Sequence, residues 1–283
     1  MFERFAVGWE LAKQSFQVLR LDKELLVFPL LSGVACLLVL ASFALPLWNS
    51  PYIEMFQNEQ ELPDDPIPYV ILFAFYFVNY FTIVFFNSAL VACAIIRFRG
   101  GDPTLADGFR ASFSRLPQIL GWALVSATVG LILRLIESRS EKAGRFVAGL
   151  LGMAWSAATY FVVPVLVVER AGPGQALKRS FELLRKTWGE ALSARFGIGA
   201  VIFVASLAAM IPAAIGIYLA ASLNSVALAV GGAGVTVLLL ILIALISSAV
   251  KAILIGALYE YASEGAAPEQ FDEGLLRQAF GER

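Results

Sequence analysis

The chain has 283 residues, of which 59% are hydrophobic and only 15% charged, and its mean hydropathy is +0.77. A soluble domain cannot cover that much apolar surface, so composition alone puts the chain in the membrane class. A net charge of −1 argues against the basic face that nucleic acid needs, and the absence of histidine removes the commonest general base and metal ligand.

A charged, amphipathic opening leads into the first apolar run, Leu25–Trp48. That run is about 24 residues long, beyond the roughly 7–15 of a secretory h-region, so it is expected to be a retained anchor. Pro68–Ile96, Ile119–Ile136, Val147–Val168, Phe196–Leu219 and Val235–Tyr259 follow. A hydrocarbon core about 30 Å thick takes about 20 helical residues, and only regular internal hydrogen bonding hides peptide groups in lipid. All six runs are therefore predicted to be transmembrane helices. The third is the shortest and carries Arg134 near its end. Cys36 and Cys93 both lie inside apolar runs and are expected to be free thiols that behave as small hydrophobes.

Lys and Arg fall unevenly between these runs. Sixteen of the 21 lie on one side: in the opening segment, the second loop, the fourth loop and the tail. Arg134, Arg139, Lys142 and Arg145 oppose them at the third hairpin, interleaved with Glu137 and Glu141, and Lys251 falls inside a helix. The sixteen mark the expected cytoplasmic side, with both termini inside.

One short pattern recurs ahead of the hairpins: "KQSF" at 13–16, "RASF" at 110–113, "KRSF" at 178–181 and, in the tail, "RQAF" at 277–280. Aligned on Phe16, Phe113 and Phe181, apolar residues recur four before and three after, tracing one helical face. In the first copy the stripe reaches back through Phe5 and Trp9, and in the third it runs on to Trp188. Lys13, Arg110, Lys178 and Arg277 hold the basic position, where they would meet lipid headgroups. "RGGDP", "RAGPG" and "EGAAP" end the even-numbered runs with turn residues. The expected fold is an all-α integral membrane protein, a single polytopic domain over 1–283. Its six transmembrane helices form three parallel hairpin repeats, about 5–98, 104–168 and 174–260, each preceded by a cytoplasmic interfacial amphipathic helix. Residues 261–283 form a tail with a short amphipathic helix.

The stretch "ALKRSFELLRKTWGEAL" (176–192) resembles the interfacial segment of the membrane domain attached to some bacterial glycerophosphoryl diester phosphodiesterases. The opening "FERFAVGWELAKQSFQVLRLDKELLVFPLLSG" (2–33) more closely resembles an uncharacterised bacterial and archaeal six-span family. The resemblance implies the six-span fold and a prokaryotic plasma membrane. It implies no catalytic residue, because the phosphodiesterase chemistry belongs to a separate soluble domain.

All six Asp residues lie in loops or tails, and no Glu sits in the middle of a run, which disfavours intramembrane aspartyl catalysis and a carboxylate proton relay. The outer loop 49–66 is acidic and expected to be solvated. Lys251 lies eight residues before Tyr259, about 12 Å into the core by this reckoning. Either it snorkels, or it faces an inter-helix cavity holding a headgroup or another anion. Ser247 stands one turn away, and Asn79, Thr82, Asn87 and Ser88 are candidate neighbours, although such residues more often bond between helices. Ala205, Ala209, Ala213, Gly149 and Gly152 are expected to be packing positions, and Pro29, Pro46, Pro164 and Pro212 to be kinks. No cofactor or metal is expected. The leading expectation is a non-enzymatic membrane protein that binds or organises lipids, or serves as membrane accessory to a protein partner or a second copy of itself. The alternative is a channel or carrier for a small solute or lipid.

Overall fold

The computed structural model describes residues 2–48, 50, 66–138, 143–186, 199, 202–223 and 225–279. Among these the chain is all-helical, and six helical segments are long and apolar enough to cross a membrane: Lys23–Trp48, Ile67–Phe98, Leu116–Ser138, Gly144–Val168, Ile202–Leu223 and Val226–Glu264. The chain is thus a multi-pass membrane protein. Every one of the six overlaps an expected apolar run. Their outward faces remain apolar, with Leu37, Leu45, Met153 and Leu238 each more than 60% exposed. Such a surface needs lipid around it.

The chain divides into two compact units, Val27–Lys186 and the remainder. The first unit contains α2 (Val27–Trp48), α3 (Ile67–Phe98), α4 (Leu105–Ser114), α5 (Leu116–Ser138), α6 (Ala143–Ala158), α7 (Val162–Val168) and α8 (Pro173–Lys186). Here α3 is the central helix, packed by α2, α4, α5 and α7. Phe28 of α2, Phe85 of α3 and Phe109 of α4 form an aromatic cluster, with Phe28 and Phe109 edge-on and centred 5.4 Å apart. Gly108 makes this fit: a Cβ there would come within 2.8 Å of Cys93 Sγ and 3.0 Å of the Ala89 carbonyl. Trp122 and Trp155 stack at 5.7 Å between α5 and α6.

The second unit contains α1 (Phe2–Leu21), a 3₁₀ turn (Lys23–Leu26), α9 (Ile211–Leu223), α10 (Val226–Glu264) and α11 (Glu273–Ala279). Here α10 packs against α9 at one end and α1 at the other, and α11 packs on α1. The Gln14 side-chain oxygen accepts from the Asp272 N–H at 3.2 Å. With 39 residues, α10 is about 58 Å long, nearly twice a hydrocarbon core. Its membrane-length stretch starts at Val226, earlier than the Val235 read from hydropathy.

Two crossings are interrupted, both at proline. The fourth breaks at Thr159–Phe161 ahead of Pro164, and the fifth has a turn at Met210 ahead of Pro212. Proline clashes with the carbonyl four residues back, which ends or bends the preceding helix. Pro46, by contrast, sits inside α2 without ending it.

The tightest helix contact in the second unit uses glycines that the small-residue pattern did not single out. A Cβ on Gly232 of α10 would lie 2.5 Å from the Pro212 carbonyl and 3.0 Å from Gly216 Cα. Gly149, picked from sequence as a packing residue, has nothing within 4 Å of such a Cβ. Gly232→Ala is therefore expected to lower stability by about 1–3 kcal/mol through backbone overpacking, whereas Gly149→Ala does not destabilise. Thermal melts of the two variants in detergent check the difference.

Candidate functional site

The recurring tetrads lie on α1, α4, α8 and α11, and in the first three the same two positions behave alike. Ser15, Ser112 and Ser180 are each 0% exposed. The next residues, Phe16, Phe113 and Phe181, are 41%, 62% and 51% exposed. Four residues before each serine stand Leu11, Gly108 and Ala176, all buried. Steps of four place the serine and that residue on one helical face, with the Phe turned about 100° away. The buried face rests on an even-numbered crossing: α1 on α10, α4 on α3, and α8 on α7.

Two of the serines tie these helices down. The Ser112 hydroxyl donates to the Phe85 carbonyl of α3 at 2.8 Å. Ser180 does more, because it faces the break in the fourth crossing. Beyond Trp155 the hydrogen bonding tightens, with the Tyr160 N–H donating to Ala157 and the Val162 N–H to Thr159. That shortening frees the Phe161 N–H and the Ala158 carbonyl. The Ser180 hydroxyl accepts from the first at 3.0 Å and donates to the second at 2.7 Å. Ser15, in the second unit, bonds only to Leu11 of its own helix. Sequence reasoning recorded the serine as part of the pattern and built its face on Phe. The signal was available: one small polar residue at the same place in three apolar-faced helices.

The basic position is exposed in Lys13, Arg110 and Lys178. Lys13 pairs with Glu10 at 2.9 Å and stands 5.6 Å from the Trp9 ring centre. Arg110 pairs with Asp107 at 3.2 Å, and Arg277 with Glu273 at 3.1 Å. Beside Lys178, Arg179 bonds Glu169 at 3.0 Å. Phe280 and Trp188 lie outside the described residues, as do the side chains of Phe5 and Lys186, and Arg195 and Arg283.

The even crossings end in left-handed residues, Gly100 (φ 80°), Arg170 (φ 55°) and Gly265 (φ 74°). Glycine adopts this conformation freely; Arg170 does so at a cost of about 1–2 kcal/mol. After the first of these turns Arg97 pairs with Asp102, and Thr104 caps α4 reciprocally with Asp107. At the α4–α5 junction the Arg115 Nε donates to the Val167 carbonyl at 3.1 Å. Burial and the charge of Arg170 lower the Arg115 pKa, which still leaves it a cation.

Lys251 is exposed on α10, and Ser247 one turn earlier is half-buried. Asn79 donates to the Phe75 carbonyl of its own helix at 3.0 Å, and Thr82 likewise to Val78 at 2.8 Å. Asn87 is half-buried and Ser88 buried. Asn79 and Asn87 belong to one compact unit and Lys251 to the other. At the third hairpin Arg134 pairs with Glu137 at 3.0 Å, and Arg145 occupies the first turn of α6. Arg139, Glu141 and Lys142 lie outside the described residues, as do residues 51–65 of the acidic loop. Cys36 and Cys93 are free thiols, and Cys93 is buried.

Ser180→Ala would leave a buried N–H and a buried carbonyl without partners, so a loss of about 1–3 kcal/mol is expected. Ser15→Ala removes only a bond to an already paired helix carbonyl and is expected to change stability little. Thermal melts in detergent separate the two. Acid tests the cap of α4: bonds from the Thr104 hydroxyl and N–H hold the Asp107 pKa below the usual carboxylate value. A depressed pKa contributes stability above the unfolded value, about 3.9, that is lost as pH falls through the folded one. Amide protection in α4, relative to the free-chain exchange rate at each pH, is expected to fall below about pH 4 in the wild type, and that acid-dependent change to vanish in Asp107→Asn.

No curated protein and no solved structure matches the chain. A family model does match, over residues 66–269, from the second crossing past the end of the sixth, and the chain belongs on that ground to DUF6159, a family of unknown function.

Proposed function

We propose that this is a non-enzymatic protein of a prokaryotic plasma membrane that binds and organises lipids through cationic helices lying in the cytoplasmic headgroup layer. In this reading α1, α4 and α8 each introduce one of three parallel hairpin repeats, and both termini are cytoplasmic. The observation that carries it is the shared arrangement of the tetrads. In each, the serine is fully buried, and in α4 and α8 it bonds to a crossing, while the adjacent Phe and the nearby base are left exposed. An exposed Phe beside an exposed cation on a helix that precedes a crossing has the amphipathic character of an interfacial segment. Each Phe would contribute about 1.5–3 kcal/mol if fully buried in acyl chains, and each base about 1 kcal/mol at an anionic leaflet.

The carrier alternative leaned on a lysine deep in the bilayer. Residues 226–250 contain no charge, and as helix they extend about 37 Å, enough to span the core before Lys251 is reached. On that register Lys251 belongs at the headgroups, where its exposure has no cost to explain, and the lipid reading is favoured.

Native mass spectrometry of the protein released from nanodiscs containing anionic and zwitterionic lipid tests the proposal. The wild type is expected to retain anionic lipid preferentially. The triple variant Lys13→Gln, Arg110→Gln, Lys178→Gln is expected to lose most of that preference at unchanged melting temperature. Equal lipid profiles for the two proteins, or aqueous thiol labelling that put residues 16 and 113 on opposite sides of the membrane, would overturn it.

A further inference from the structure

The cationic cluster at the third hairpin is the feature that the positive-inside distribution does not absorb. From Leu116, beside α4, to Arg134 the α5 axis advances about 27 Å, close to a full hydrocarbon thickness. Arg134 therefore lies at the end of this unit away from α4 and α8. There α3, α5 and α6 enclose a cleft of about 370 Å³. Tyr76 and Tyr80 of α3 form one wall, Arg134 and Glu137 of α5 the second, and Arg145 with Gly149 of α6 the third.

Several features of this cleft converge on one chemistry. Its charged lining is two arginines and one glutamate. Arg145 adds its charge to the first turn of α6, where the helix dipole is also positive, so helix electrostatics there favour an anion. Arginine forks match phosphate oxygens, and tyrosine supplies an O–H donor that sits well at a membrane interface. Elsewhere on its surface α6 exposes apolar side chains suited to acyl chains: Phe146 is 68% exposed, Leu150 47% and Met153 64%. A monoanionic phosphate diester carrying two acyl chains suits the arginines and the tyrosine donors of the cleft, and its chains suit the apolar surface of α6.

We infer that this cleft binds the phosphate diester of an anionic phospholipid in the leaflet opposite α4 and α8, with Arg134 and Arg145 on the phosphate. Glu137 then acts as the brake on affinity, because it holds Arg134 at 3.0 Å and offsets its charge. The site shares no residue with the tetrads, so its success or failure is separable from theirs.

The experiment is lipid retention by the full chain in nanodiscs, read by native mass spectrometry with phosphatidylglycerol against phosphatidylcholine, and with millimolar inorganic phosphate as competitor. In the Lys13→Gln, Arg110→Gln, Lys178→Gln background, Arg145→Gln is expected to weaken the remaining phosphatidylglycerol retention about three- to tenfold, and Glu137→Gln to strengthen it by a similar factor. Gly149→Leu, which adds bulk where nothing stands within 4 Å, is expected to block the cleft while preserving the fold. Inorganic phosphate is expected to displace no lipid. Opposite-signed responses of Arg145→Gln and Glu137→Gln, with loss in Gly149→Leu at an unchanged melting temperature, support the site. Displacement by free phosphate would reassign it to that anion and overturn the lipid assignment. Retention unchanged in all three variants would overturn the site itself.

Discussion

A peptide group released from its helix inside an apolar layer must find another partner, and this requirement governs how the helices of each unit are joined. Pro164 and Pro212 interrupt two crossings, and each interruption orphans backbone donors. In both places a hydroxyl from a neighbouring helix meets the amide: Ser180 meets Phe161 at 3.0 Å, and Thr236 meets Ala213 at 3.0 Å. The hydroxyl is the right group for this, because it accepts and donates at once and is small enough to lie under a helix. Aromatic packing around Phe28 and Phe109, and the glycine contact between α9 and α10, give the helices their fit. The hydroxyls determine where they can bend.

The same logic separates the residues that fix a tetrad helix from those that project from it. In α4 and α8 the inward serine donates to a carbonyl of the crossing below, Ser112 to Phe85 and Ser180 to Ala158. Once it is docked, the helical turn of about 100° per residue leaves the following Phe pointing away. Orientation of the aromatic is a consequence of the hydrogen bond beneath it. The basic residue, three positions before the Phe, shares that outward side, although acidic neighbours pair with it in Lys13 and Arg110.

Much of the fold was legible because hydropathy and length act through one large term, the cost of peptide and charge in hydrocarbon. Six runs were enough to place six helices, and Gly100 and Gly265 occupy turns already suggested by the "RGGDP" and "EGAAP" motifs. The break at Thr159–Phe161 was only half visible: Pro164 announced a kink, but the hydroxyl that closes the gap is remote in sequence. The packing glycines were misjudged for a similar reason. Gly149 and Gly216 look alike in a helical pattern, and only the approach of Gly232 and the Pro212 carbonyl distinguishes them. Arg134 could be paired with Glu137 from spacing alone. Its company with Tyr76, Tyr80 and Arg145 comes from the packing of three helices, which spacing does not encode. The sixth run was read from Val235, whereas its helix begins nine residues sooner, at Val226.

The double role of Ser180 couples two events that would otherwise be independent. The helix that carries it cannot lift away from the fourth crossing without stripping a donor and an acceptor from the break. Detachment of α8 and loosening of that crossing must therefore occur in one cooperative opening. The amide proton of Phe161, shielded only while the hydroxyl covers it, becomes a clock for that opening.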